Sequence, residues 1–188
     1  MPIDPYNGAV GLDIGMEELT IMAMEIERKY LLDEYPEALI NDGIIMIEKE
    51  QFIEQTYLAL DGDQELRVRK ITDSGSGELT FTHTFKQGWG IAREEVEISI
   101  SEGLYDQVIK AHGAIPLTKR RVTANWNDVI IEIDDYAQVQ MLVLEVEFPS
   151  IEAADRFVPP AWFGQDISTE KQYSNKKIWH DLQEAKQA

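Results

Sequence analysis

The sequence predicts an α+β protein: an eight-stranded antiparallel β-barrel with a few outer helices. Three observations carry this. From Glu25 onward apolar residues recur at every second position, the period of a strand with one buried face. Short turn signals, LDGD (60–63) and SGSG (74–77), separate neighbouring segments at hairpin spacing. The residues alternating with the apolar ones are charged and come in same-sign pairs.

In chain order, strands are expected near 25–32, 50–60, 64–72, 77–87, 91–100, 115–126, 128–136 and 139–148. EIERK places Glu25, Glu27 and Lys29 on one face. ELRVRK sets Arg67 and Arg69 against Leu66 and Val68, and LTFTHTFK sets Thr80, Thr82, Thr84 and Lys86 against Leu79, Phe81 and Phe85. REEVEISI pairs Glu95 with Glu97, and TKRRV pairs Lys119 with Arg121. IIEIDD pairs Glu132 with Asp134, and LEVEF pairs Glu145 with Glu147. NWND (125–128) is a third turn signal. A short helix is expected over 36–41. A better one covers 101–112, with a Ser101 cap and Leu104, Val108 and Ile109 on one side. A third helix starts at Ser150, and the last runs over 175–185. Residues 1–23 contain no Lys or Arg and read as an extension outside the fold, although MEELTIMAM could form a short helix. The domain is expected over 24–188.

A sheet with one packed and one wet side explains any single charged pair. It explains the set poorly, because wet faces mix Thr, Ser, Gln and Lys. Two carboxylates ~6 Å apart cost roughly 2–3 kcal/mol at an effective dielectric near 20. Closing the strands into a barrel with the charges inside lets bound ions repay that cost. Eight strands leave a lumen for side chains and one small ligand. Carboxylate clusters hold hard cations such as Mg²⁺ or Mn²⁺, and guanidinium and ammonium groups hold phosphate oxygens. A lumen carrying both suits a metal-bound polyphosphate.

The composition agrees. The 188 residues carry 35 acidic and 17 basic side chains, a formal net charge of -18. Such a chain is repelled by nucleic acid and anionic membranes, so neither is expected as a partner. With no cysteine, disulfides and thiolate metal sites are excluded. No apolar run reaches membrane-spanning length and no secretory signal is evident, which fits a cytoplasmic location. The oligomeric state stays open, a homodimer included.

EIERK resembles the Glu-x-Glu-x-Lys signature of the CYTH domain family, also called the triphosphate tunnel metalloenzymes. The similarity continues in order through ELRVR, TFK, EEVEI, KRR, EID, LEVEF and TEKQYSNK, over about Met24 to Lys177. The stretch from LVLEVEF to QYSNKK looks especially like the short bacterial inorganic triphosphatases. The resemblance implies a triphosphate tunnel, divalent metal and a triphosphate substrate. By position, Glu25, Glu27, Glu145 and Glu147 would hold a first metal, and Glu95 and Asp134 would support a second or orient water. Lys29, Arg67, Arg69, Lys86, Lys119, Arg121 and Lys171 would hold phosphates.

The first reading is therefore metal-dependent hydrolysis of the terminal phosphate of inorganic tripolyphosphate or a nucleoside triphosphate, with Glu95 or Lys29 as catalytic proton acceptor. A class IV-type adenylyl cyclase is the alternative, although no stretch identifies itself as a base pocket. A non-catalytic polyphosphate or nucleotide binder is the third reading, disfavoured by the carboxylate set. His83, His112 and His180 lack ligand spacing. GWG (88–90) is a turn without the Gly-Lys-Ser/Thr of a phosphate loop. Ser74 and Ser76 lie in a turn with no nucleophile motif. Trp162 and Phe163 are expected to plug one barrel end. The final helix is expected to pack, with covering a tunnel mouth as its other option.

Overall fold

The computed structural model describes residues 23–187; the expected helix in MEELTIMAM lies almost wholly outside them. The chain runs β1 (Ala23–Leu32), α1 (Glu37–Asn41), β2 (Ile45–Asp61), β3 (Gln64–Asp73), β4 (Leu79–Gln87), β5 (Ala92–Ser99), α2 (Glu102–His112), β6 (Leu117–Trp126), β7 (Val129–Tyr136), β8 (Met141–Glu147), α3 (Ile151–Arg156), β9 (Gln165–Asp166) and α4 (Asn175–Gln187). The antiparallel order is β5-β4-β3-β2-β6-β7-β8-β1, and β1 pairs back onto β5 from Ala23↔Glu95 to Ile26↔Ala92. That last pairing closes the eight-stranded barrel.

Local chemistry sets the turns. In NWND, Asn127 and Asp128 take φ of 50° and 62°, which these residue types tolerate, and Asn125 Oδ1 accepts from Asp128 N at 3.1 Å. In the turn after β3, Asp73 Oδ1 accepts from the backbone of Gly75 and Ser76. Ser101 caps α2 by accepting from Leu104 N, and Ser150 caps α3 by accepting from Ala153 N, which relieves two otherwise unpartnered helix donors.

Two differences from expectation have local causes. β2 starts at Ile45 rather than near residue 50, because a bulge between Ile47 and Lys49 shifts its period while pairing to β6 continues as far as Trp126. β9 went unforeseen because two residues are too short to show a period; it pairs with β1 at Tyr30 and Leu31.

Directly opposed residues on antiparallel neighbours share a face, so the register sorts the walls. Outside, Tyr30, Val122, Ile131, Ile133, Leu144 and Val146 form one core with Phe163. Phe163 is fully buried, its ring 4.9 Å from Tyr30 and 5.4 Å from Trp126. Phe163, with Trp162 against it, thus covers the outer wall instead of plugging an end. α2 lays Tyr105 over Val68 and Phe81 on another part of the outside. The end is closed by α4, whose Ile178 and Trp179 pack with Ile167 onto the inward-facing Tyr57, Leu117, Tyr136 and Val143. Trp179 Nε1 donates to the Ile115 carbonyl at 3.0 Å.

Gly164 makes the route to β9 possible. Its φ is 76°, and a Cβ there would collide with the Leu31 carbonyl oxygen. Gly164→Ala is expected to lower stability by more than ~2 kcal/mol, read as a drop in the midpoint of urea unfolding.

Candidate active site

The strand alternation turns charged residues of seven of the eight barrel strands inward, where with Tyr57 of β2 they line a cavity of about 930 Å³. Across the ladders Lys86 stands opposite both Glu65 and Glu95, Arg121 opposite Asp134, Glu27 opposite Glu147, and Glu132 opposite Glu145. The last two pairs put carboxylate against carboxylate.

Ion pairs knit the wall together. Lys29 Nζ lies 2.6 Å from Glu145 Oε1 and 3.3 Å from Glu27 Oε1. Lys86 Nζ reaches Glu25 at 2.5 Å and Glu95 at 2.7 Å. Arg67 donates to Glu95 at 3.4 Å and Arg69 to Glu97 at 3.5 Å. Asp134, fully buried, accepts from Lys119 at 2.6 Å and twice from Arg121 at 2.7 Å. Arg121 also donates to Glu145 at 2.6 Å and pairs with Glu132.

These pairs leave charge of both signs uncompensated. Burial, then Arg121, pushes the Lys119 ammonium down to about 8. Burial, then Arg67, also lowers Lys86. Arg69 is lowered by burial and by Arg67 and Arg121. Three neighbouring cations thus strain toward neutrality, which an anion among them would relieve. The reverse holds among the acids: burial raises Glu147, as do Glu132, Glu25 and Glu27, and burial with Glu145 raises Glu132 against the pull of Arg121. Lys29 behaves differently. Burial alone would lower it, but Glu145 and Glu27 carry it above its ordinary value. Burial would raise Glu95, but Lys86 and Arg67 hold it below the usual carboxylate range.

Of the candidate residues, Glu25, Glu27, Lys29, Arg67, Arg69, Lys86, Glu95, Arg121, Glu145 and Glu147 line this one cavity. Lys119 and Asp134 sit just behind its surface, 1% and 0% exposed. Asp134 has both oxygens occupied by cations. Lys171 is at the rim, its Nζ 4.7 Å from the Trp89 ring centroid. Four lumen residues escaped the sequence reading. Arg93 donates to Glu27 at 2.7 Å and Glu25 at 3.1 Å. Glu65 is buried, 3.7 Å from both Arg93 and Lys176, and Tyr57 lies beside Arg67. Arg93 and Glu65 had a signal, since each stands two positions before a residue already assigned inward. Lys176 had none, because the path of α4 places it. His180 comes together with Asp181 and Glu184 on the exposed side of α4, a grouping the spacing did not suggest.

A closed antiparallel barrel with ions of both signs walled into its lumen defines an ionic-tunnel protein. The chain belongs to the CYTH domain family, whose model matches residues 23–177. It is 31% identical over 158 residues to the inorganic triphosphatase of Nitrosomonas europaea, covering 82% of this chain and 95% of that one. It is 25% identical over 160 residues to the inorganic triphosphatase of Acetivibrio thermocellus, covering 84% and 94%. The crystal structure of the inorganic triphosphatase NE1496 superposes with a TM-score of 0.55 at 29% identity, covering 84% of this chain and 95% of that chain.

Asp134→Asn removes the carboxylate that Lys119 and Arg121 share. It is expected to cost ~3–5 kcal/mol, the effect of leaving buried charge without its partner, measured by urea unfolding.

Proposed function

We infer that the protein hydrolyses the terminal phosphoanhydride of a triphosphate, with inorganic tripolyphosphate as the first substrate. One observation carries this reading: a single lumen gathers the cations Arg67, Arg69, Lys86 and Arg121 beside carboxylates that face one another, Glu27 against Glu147 and Glu132 against Glu145. A polyphosphate relieves the first and a divalent cation the second. Two relatives named inorganic triphosphatase support the choice of substrate.

The donor set fits a hard cation. Glu27 and Glu147 oppose each other across β1 and β8, Glu25 lies two residues along, and Glu145 is adjacent; oxygen-only carboxylate ligands suit Mg²⁺ or Mn²⁺. Such an ion would supply neutralisation of phosphate charge. Glu95 would support a second such ion. In this reading Asp134 acts by orienting Lys119 and Arg121.

Arg67, Arg69, Lys86, Lys119 and Arg121 grip the phosphate oxygens and set the chain in line for attack. Arg binds in the planar, bidentate manner phosphate favours. Lys29, beside Glu145 and Glu27, donates to oxygen that gains charge as the P–O bond breaks. Glu95, held ionised by Lys86 and Arg67, aligns the attacking water and takes its proton as the new P–O bond forms. Positioning and electrostatics dominate, as in phosphoryl transfer generally. Lys171 joins from the rim.

The test is phosphate release from tripolyphosphate, ATP and thiamine triphosphate in turn, each with Mg²⁺ or Mn²⁺, with cyclic AMP read in parallel. Fastest release from tripolyphosphate without cyclic AMP is expected; cyclic AMP from ATP would overturn the reading in favour of a cyclase. Glu27→Gln should reduce metal-dependent kcat at least ~100-fold with the thermal midpoint retained. Unchanged turnover would remove Glu27 from the site. Arg69→Ala should raise KM for tripolyphosphate about tenfold or more, one charge-assisted contact being worth ~1.5–3 kcal/mol. A change in thermal stability alone would make Arg69 structural. Chelation should stop release, and added Mg²⁺ or Mn²⁺ should restore it.

A further inference from the structure

Packing does not explain the amide of Gln55 on β2. The residue is 0% exposed. Its neighbours on the inward face are Ile53 and Tyr57, two positions to either side, and Leu117 stands opposite on β6. All three are buried, so packing alone would favour leucine or methionine at this place. Among the described residues neither Gln55 Oε1 nor Gln55 Nε2 has a hydrogen-bond partner, and a buried amide left unpaired costs stability. On its other side Gln55 stands directly opposite Arg69 of β3, and Arg69 directly opposite Thr82 of β4. The same want runs along this row. Arg69 Nε and Thr82 Oγ1 also have no partner among the described residues, and Thr82 is 5% exposed.

The hold on Arg69 is slight. Its guanidinium reaches Glu97 at 3.5 Å, the limit of a hydrogen bond. Glu97 accepts from the Thr84 hydroxyl at 2.7 Å and is itself exposed. A phosphate oxygen in the lumen is the stronger partner. When Nη donors of Arg69 turn to it, the Nε–H is left over, because a guanidinium carries five donors. In a dry wall that donor needs an acceptor.

We propose that Gln55 and Thr82 are positioning residues for Arg69, two neutral oxygens that hold its guanidinium on phosphate from either flank. Gln55 Oε1 takes the Nε–H, Thr82 Oγ1 takes one Nη–H, and the remaining Nη donors grip phosphate. Gln55 Nε2 adds a secondary donor beside them. This rests on the phosphate chain lying in the lumen as inferred above. Both partners must be neutral. A carboxylate at either place would compete with phosphate for Arg69, as Asp134 does for Arg121. An apolar side chain would pack well but leave the guanidinium free to return to Glu97. The row thus gives up stability for aim.

The test pairs thermal unfolding with calorimetric binding of tripolyphosphate under chelation, and with KM and kcat under Mg²⁺. Q55M replaces the amide by an apolar group of similar shape. It is expected to raise the unfolding midpoint of the free protein by about 2–4 °C. It should also raise Kd and KM for tripolyphosphate about tenfold, with kcat nearly unchanged. T82V should move both readings in the same directions, and T82S, which keeps the hydroxyl, should bind as the wild type does. In an R69A background most of the Q55M loss should disappear, since it passes through Arg69. A structural role for the amide would instead lower the midpoint and the affinity together. A lower midpoint in Q55M, an unchanged Kd, or a loss as large with Arg69 absent would each overturn the positioning and leave the phosphate site standing. A wild type that binds no tripolyphosphate would overturn both.

Discussion

Like charges held together where water is scarce are the constraint on which the rest of this molecule depends. Alternation along a strand offers only two faces, and here one of them is ionic on nearly every strand. Barrel closure through β1 and β5 turns that face into an interior. Buried ions demand partners, so the lumen is a continuous web: Arg93 and Lys86 between Glu25, Glu27 and Glu95, and Arg121 between Asp134, Glu132 and Glu145. The web is incomplete by design of the sequence, with Glu27 against Glu147 and Arg67 crowding Arg69 and Lys86.

The apolar residues are arranged to keep that web in place. Phe163 and its neighbours pack on the outside of the wall that carries Lys29, Arg121 and Glu145 on its inside. α4 closes one end with Ile178 and Trp179, and the same helix sends Lys176 toward Glu65. One element thus serves both the hydrophobic closure and the ionic lining. This couples stability of the closed end to geometry at the mouth.

The electrostatics of the whole chain give that mouth a purpose. A net charge of -18 repels a polyanion at a distance, although salt confines the effect to roughly 10 Å. Lys171, Lys176 and Lys177 line the cavity beside Trp89, a local cationic rim on an acidic body. Within a Debye length the rim is what an arriving phosphate meets. Most of the basic groups thus lie in the lumen, among its carboxylates, or at its mouth, while acidic groups cover much of the remainder.

A repeat of two residues encodes much of this fold. The eight barrel strands, the ionic face of seven of them, the Ser101 and Ser150 caps and the turns at Gly62 and Asn127 were all legible in the sequence. So was the inward placement of the candidate residues from Glu25 to Glu147, because each stands an even number of positions from another polar residue on its own strand. Arg93 and Glu65 follow the same rule, each two positions before another inward residue. Tertiary structure alone decided the rest. Which mouth is closed, and by which residues, depends on where 160–187 travels after the barrel is complete, and no periodicity records a path. Phe163 lies outside the wall because Gly164 lets the chain hug the Leu31 carbonyl, and Lys176 and Trp89 meet across about 87 residues of sequence. Local propensity acts between residues close in the chain, whereas such meetings follow only from the closure of the barrel.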